Sequence, residues 1–216
     1  MIKKIELKEL INLYKRGYFP MAENSATEKI KFYKPEFRFL LPIYNFHLPK
    51  KLFGEYKRNK YQFKINTNFS KVIYECSKRK GDEDTWINEI IINTYIELNK
   101  KGYAHSIECW ESNKLVAGLY GVHIGSCFFG ESMFSKKTNT SKLSLLYLIS
   151  ILIKNKFFLL DSQFYNHHLL QFGGYEISDI NYQSLLKKGI NNKSDFIDNL
   201  DFYESLPILQ SLTQTS

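Results

Sequence analysis

The chain has 216 residues, 44% of them hydrophobic and 16% aromatic, with 30 basic against 22 acidic side chains and a formal charge of +8. That length fits one domain, or one domain with a small appendage, and the apolar share allows a sizeable core. The basic balance favours an anionic partner such as nucleic acid, although richness in Lys and Asn also arises from genome composition alone.

The start, Met1 to Leu10, alternates charge with aliphatics and lacks the apolar core of a secretion signal. Leu7, Leu10, Ile11 and Tyr14 recur at helical spacing, and Gly17 closes that helix. Tyr18 to Thr27 reads as a loop whose apolar start suggests that it docks onto the body of the protein. Phe37 to Leu41 reads as a strand, Pro49 as the first turn of a helix carrying Lys50, Lys51, Lys57 and Arg58, and Tyr61 to Ile65 as a second strand. Asn68 caps a helix with Phe69, Val72, Ile73 and Cys76 inward. Thr85 reads as the cap of the next helix, with Ile87, Ile90, Ile91, Tyr95 and Leu98 as its stripe and Gly102 as its stop.

Three strands follow, Ala104 to Glu111, Lys114 to His123 and Cys127 to Phe134, joined by hairpin turns at Ser112-Asn113 and Gly125-Ser126. Thr140 or Ser141 caps a helix to about Lys154. Its apolar run, Leu143 to Ile153, is too short to span a bilayer. A strand to Asp161, a helix over Asn166 to Gln171, a turn at Gly173-Gly174, a strand near Tyr175 to Ile177 and a last helix complete the order. The tail after Asn191 has no strong period. Cys76, Cys109 and Cys127 form no CxxC pair and suggest neither a disulfide framework nor a zinc site, and His167-His168 point apart on a helix. The chain reads as cytoplasmic, with no metal.

This order is α+β: two helices, an antiparallel meander, a helix, then further strands. A meander followed by helix and strand is typical of acyl-transferring domains of the acetyltransferase type, and by that analogy a cleft opens where strands splay beside the last meander strand. Glu131, Asp161 and Gln163 stand in stretches otherwise built for burial, where a polar group needs a partner or a chemical task. Period-two geometry would send Asp161 and Gln163 to one face of a strand. A carboxylate and an amide side by side could orient a nucleophile and relay its proton, or could simply be a hydrogen-bonded pair closing a core strand. Leu145, Leu148 and Leu152 share one helical face, for which core packing is the default explanation.

Several segments in one order and spacing go beyond such analogy. They are Tyr14 to Pro20, Asp84 to Ile87, Gly102 to Glu108, Gly118 to Val122, Gly130 to Ser135, Ser141-Lys142 and Leu160 to Gln163. Over roughly residues 10 to 187 the chain resembles the bacterial leucyl/phenylalanyl-tRNA–protein transferase family. The resemblance implies a small N-terminal lobe, residues 1–36, packed on an acetyltransferase-like (GNAT-type) aminoacyl-transfer domain, residues 37–216, with a mixed sheet flanked by helices. It implies an enzyme that moves Leu or Phe, or Met, from aminoacyl-tRNA to the α-amine of proteins beginning with Lys or Arg, marking them for degradation. Aminoacyl-tRNA is then a substrate, no cofactor is expected, and no membrane partner.

By the same resemblance Asp161 and Gln163 orient the amine and pass its proton, while Glu131 supports them and favours a cationic acceptor side chain. Leu119, Phe128, Met133, Leu145, Leu148, Leu152 and Leu160 surround the transferred side chain. Strict alternation puts Phe128 on the opposite face from Glu131 and Met133, so all three can line the site only with a bulge near Gly130. Trp86 would stack on the terminal adenosine, and Met21 stands where many members carry the second, Trp wall of that clamp. Lys50, Lys57 and Arg58 match most of a basic cluster for tRNA phosphates, with Gly54 at one basic position of the family. Ile177 to Ile180 replaces an Arg-rich stretch.

The alternatives are an acyl-CoA N-acetyltransferase and a non-catalytic tRNA-binding relative. The first would want a Gly-rich turn before the helix at Thr140, yet Ser135 to Thr140 holds no glycine. The order of preference among Lys, Arg and acidic N-termini, the ranking of Leu, Phe and Met, the natural targets and the oligomeric state stay open, a monomer being the expectation.

Overall fold

A computed structural model describes residues 3–78, 85–196 and 200–213. Asp84, the first residue of one segment of the resemblance, lies outside the described residues. The chain runs α1 (Leu7–Tyr14), β1 (Phe19–Ala22), β2 (Ile30–Tyr33), β3 (Phe37–Leu41), α2 (Lys50–Lys57), β4 (Gln62–Ile65), α3 (Phe69–Cys76) and α4 (Glu89–Lys100). The meander follows as β5 (Ala104–Glu111), β6 (Lys114–Ile124) and β7 (Cys127–Ser135). Then come α5 (Thr140–Lys154), β8 (Leu159–Asp161), α6 (His167–Leu170), β9 (Tyr175–Ser178), α7 (Asp179–Asn191) and α8 (Phe202–Leu212).

Seven strands form a mixed sheet in the order β4-β5-β6-β7-β8-β3-β9. Its pairings are antiparallel except for β7 with β8. Alternation along the strands feeds two apolar layers. Ile107, Ala117, Leu119 and Leu160 point to the layer of α2, α5 and α8. Ala104, Tyr120, Val122 and Leu159 point to the layer of α1, α3, α4 and α7. Of the fifteen residues of α5, every one from Leu143 to Leu152 is buried, as in a helix apolar on every side. No helix among the described residues is long and apolar enough to cross a membrane.

Several elements differ from what spacing alone predicts. The stretch after Gly17 is a strand, β1, which pairs with β2 as a separate hairpin. Phe19 and Ala22 bury into the same layer as α1 and α4, so residues 3–36 share a core with the main sheet. The helix expected from Thr85 starts at Glu89, because the side chain of Asn88 takes the Ile91 amide, while the Thr85 hydroxyl takes that of Ile87 in a preceding turn. Asn139, at φ +63°, precedes α5 where a Thr140 or Ser141 cap is expected. The tail carries α8, whose Asp201–Glu204 capping box starts a helix that Pro207 hides from a periodicity scan.

Candidate active site

β7 pairs with β8 through Cys127–Leu159, Phe128–Leu160 and Phe129–Asp161. There β8 ends, while β7 runs on to Ser135 against β6. The two strands part, and the gap between them is a cavity of about 280 Å³. Glu131 and Met133 line it from β7, Leu160, Asp161 and Gln163 from β8 and beyond, Leu119 from β6, Leu145 and Leu148 from α5, and Trp86 from the turn before α4. This volume is near the lower end of small-molecule clefts, about 300–1,000 Å³. It suits a single amino-acid side chain with its ester.

A bulge shapes one wall. Tyr120 faces Ser132 and Gly121 faces Gly130, so Glu131 is the extra residue of β7. Up to Phe129 the strand alternates normally; beyond the bulge its faces are exchanged. Phe129 and Phe134 pack in the layer of α3 and α4, while Phe128 lies with Leu119 in the other layer. The bulge therefore brings Met133, which pairs with Leu119, to the side of Phe128 and leaves Glu131 reaching the opposite side. Phe128 nonetheless does not line the cavity. Its ring is pressed against Gly121, where an added Cβ would stand 2.4 Å from it, and it stacks on Phe196.

Glu131 borders the cavity but lies deep among protein atoms, beside two buried phenols. Tyr14 donates to its Oε1 at 2.6 Å and Tyr95 to its Oε2 at 3.0 Å, and the two phenol oxygens contact each other. These three contacts share only two phenolic protons. With both phenols donating to the carboxylate, no proton is left for the contact between their oxygens; a proton on Glu131 completes the ring by freeing one phenol to donate to the other. Burial works in the same direction. It raises the Glu131 pKa to about 7, against the two phenol hydrogen bonds, with Asp161 adding to the rise and Arg38 opposing it.

Asp161 is fully buried and fully occupied. Arg38 Nε lies 2.9 Å from its Oδ1 and 3.0 Å from its Oδ2, and Nη2 lies 2.7 Å from Oδ2. Tyr182 donates to Oδ2 at 2.6 Å, and the Gln163 amide to Oδ1 at 2.9 Å. The guanidinium sits between the rings of Phe19 and Tyr182, 4.9 and 4.6 Å from their centroids, and its Nη1 donates to the Gly17 carbonyl. Burial works against the charge of Arg38, yet the Asp161 carboxylate more than offsets it and raises the guanidinium pKa.

Gln163 is not on the strand. Its φ of +61° turns the chain directly after β8, so the expected common strand face for Asp161 and Gln163 does not exist. The two still meet, through the Gln163 amide on Asp161. The Gln163 side chain reaches the other way, its Nε2 donating to Glu131 Oε1 at 3.1 Å. That bond fixes the amide's orientation and leaves Oε1 as its free acceptor. Phe164 and Tyr165, between the cavity-lining Gln163 and Asn166, are exposed aromatics on the rim.

Of the residues singled out in the sequence, Leu119, Met133, Leu145, Leu148, Leu160, Glu131, Asp161, Gln163 and Trp86 meet at the cavity. Phe128 and Leu152 are core residues away from it; Leu152 lies one helical turn beyond Leu148 and is fully buried. Met21 is half-buried on β1, whose Ala22 amide donates to the Trp86 carbonyl at 3.1 Å. Lys50 and Lys57 are exposed on α2 and Arg58 at its C-terminal cap, with Lys57 lying over the Phe53 ring, and a side chain at Gly54 would meet open space. Spacing missed Arg38 and Tyr182. A lone charge inside Phe37-Arg-Phe-Leu-Leu41 was the available signal, since charge within an apolar strand needs a buried partner. Among the described residues no cluster of three His, Cys, Asp or Glu side chains is placed to hold a metal ion.

A family model for leucyl/phenylalanyl-tRNA protein transferase matches residues 40–187. The leucyl/phenylalanyl-tRNA–protein transferase of Maricaulis maris is 42% identical over 210 residues, covering 97% of each chain. That of Hyphomonas neptunium is 42% identical over 190 residues, covering 88% of this chain and 74% of its own, and that of Caulobacter vibrioides is 41% identical over 209. Among solved structures, L-PGS from Bacillus licheniformis aligns over 88% of this chain and 72% of its own, with a TM-score of 0.44 and 13% identity, too low to carry an argument.

Proposed function

The chain belongs to the leucyl/phenylalanyl-tRNA–protein transferase family, and on that premise we propose that it transfers an aminoacyl group from aminoacyl-tRNA to the free α-amine of an acceptor protein, acting at the cavity between β7 and β8. The donors are Leu-tRNA and Phe-tRNA, the acceptors proteins beginning with Lys or Arg, and the modified N-terminus is a mark for degradation. The observation that carries this reading is the cavity itself. It sets an apolar floor of Leu119, Leu145, Leu148 and Leu160 beside Gln163 and Glu131. We read the parted strands as the acyl-transfer cleft of an acetyltransferase-like fold.

The donor ester is already activated, so no cofactor enters the scheme. An α-amine has a pKa of about 7.7–8.0, and part of it is neutral near pH 7.5. Most of the acceleration comes from holding amine and ester together. The Leu or Phe side chain sits on the leucine floor and against Met133, whose unbranched thioether adapts to either shape. Gln163 Oε1 accepts from the amine and aims its lone pair at the ester carbonyl. The N–C bond forms, the bond from the carbonyl carbon to the ribose oxygen breaks, and the amine's proton ends on that oxygen.

On this reading the three polar residues have different tasks. Gln163 touches the reacting amine. Asp161 has no lone pair left for a proton and acts through Gln163, holding its backbone turn. Glu131 orients the Gln163 amide and presents a carboxyl to the cationic side chain of the acceptor.

Trp86 stacks on the terminal adenosine, with Met21 as a smaller second wall. Met21→Trp is expected to bind a puromycin-like aminoacyl-nucleoside more tightly, in a calorimetric titration; unchanged affinity would remove β1 from that site. Lys50, Lys57 and Arg58 contact tRNA phosphates. Lys57→Glu with Arg58→Glu should weaken tRNA binding and flatten its salt dependence by about one to two units of slope. Intact affinity would make α2 ordinary surface.

The reading as a whole is tested with radiolabelled Leu-tRNA and model proteins beginning with Lys, Arg, Asp or Ala. Label on the first two alone is expected. Label on none, with acetyl-CoA turned over instead, would overturn it.

A further inference from the structure

We propose that a second basic cleft, between the end of α1 and the outer side of α7, binds the phosphate backbone of the RNA substrate. Its tRNA occupant rests on the function proposed above; its anion chemistry does not. The cleft has a volume of about 460 Å³ and gathers Lys15, Arg16, Lys34 and Lys187 around Tyr18 and Gln183.

Among the described residues, three of these four cations lack an ionic partner. Lys34 pairs with Asp179 at 2.8 Å. Lys15, Arg16 and Lys187 have no carboxylate within pairing distance among the described residues. Many other lysines on this surface are neutralised locally, as Lys136 is by Glu75 and Lys60 and Lys137 are by Glu111. Like charges left unpaired around one concave site focus a positive field, which is what an anionic ligand uses. Tyr18 organises two of them, with Arg16 at 5.4 Å and Lys34 at 5.8 Å from its ring centroid.

The cleft is fixed relative to the cavity. Gln183 Nε2 donates to the Arg16 carbonyl at 3.3 Å, and Arg38, the partner of Asp161, donates to the next carbonyl, Gly17, at 2.9 Å. A phosphate held by Arg16 is thus tied through two residues to the carboxylate that sets the Gln163 turn. The cleft belongs to the layer of α1 and α7, whereas the cations of α2 belong to the opposite layer. An RNA end entering the cavity is then held from both sides of the sheet. Four cations spread over the segment after α1, the segment after β2 and α7 suit successive phosphates better than a single small anion. Contacts of this kind position an RNA without reading its sequence.

The test is Lys15→Glu with Lys187→Glu, both exposed residues, and the milder Lys15→Gln with Lys187→Gln, should the first fail to fold. Binding of uncharged tRNA is measured between 50 and 200 mM salt, with aminoacyl-nucleoside binding and the acceptor KM alongside. We expect tRNA affinity to fall about tenfold or more, its salt slope to shrink by about one to two units, and nucleoside binding to stay unchanged. Unaltered affinity and slope in both variants would overturn the proposal. So would a raised acceptor KM at intact tRNA affinity, which would give the cleft to an acidic protein segment. A wild-type protein that binds tRNA through this cleft but transfers nothing would sink the transfer reading and leave the cleft standing.

Discussion

Arg38→Met is expected to destabilise the fold by about 3–5 kcal/mol and to abolish transfer, because it strands a fully buried carboxylate. Asp161 would keep only Tyr182 and the Gln163 amide, both neutral donors. A buried ion pair is seldom worth much against an apolar replacement of equal volume; what is costly is removing one partner. Arg38→Met combined with Asp161→Leu should therefore recover most of the lost stability. It should not recover activity, because nothing then holds the Gln163 turn at φ +61°, a conformation that costs a residue other than glycine free energy unless its surroundings enforce it. Urea unfolding of the three proteins with a transfer assay checks both halves. A single variant within about 1 kcal/mol of wild type would contradict the account of Asp161.

The second large effect concerns Glu131 and pH. Its carboxyl keeps a proton in the folded protein to about pH 7, against 4.5 without burial. A pKa raised by folding contributes stability that is complete below about pH 4.5 and is lost as pH rises through 7. The whole difference is of the order of 3 kcal/mol at most. Glu131→Gln, which keeps the shape and cannot ionise, should lack this fall. His105, pushed down to about 3 by burial, slopes the other way below its usual 6.5 in both proteins. The quantity to measure is thus the unfolding free energy of the variant minus that of wild type, at pH 5, 6, 7 and 8. It should grow with pH and level off above 7. A constant difference would show that Glu131 is ionised throughout and that the Tyr14–Tyr95 ring does not hold a proton.

The meander, α5 and the stripe of Leu145 and Leu148 were legible because burial imposes a period on the sequence. Glu131, Asp161 and Gln163 stood out because polarity in apolar surroundings has to be explained by a partner or a task. What could not be read was geometry set by neighbours distant in the chain. The bulge expected near Gly130 is there, but which residue is the extra one, Glu131, is set only in the pairing of β6 with β7. The Gln163 turn depends on Asp161 being held by Arg38, 123 positions earlier. Phe128 and Leu152 were placed in the cavity by resemblance, yet the ring of one is pressed on Gly121 and the other lies a helical turn too far along α5. The hairpin of β1 and β2 was hidden because four-residue strands are too short to show alternation.

The most direct measurement is a crystal structure of the protein with a phenylalanyl-nucleoside analogue bound. The account predicts the phenyl ring on Leu145 and Leu148, the adenine against Trp86, and the carbonyl carbon within reach of an amine held by Gln163 Oε1. An analogue bound elsewhere, with the gap between β7 and β8 empty and the Trp86 ring uncovered, would contradict it.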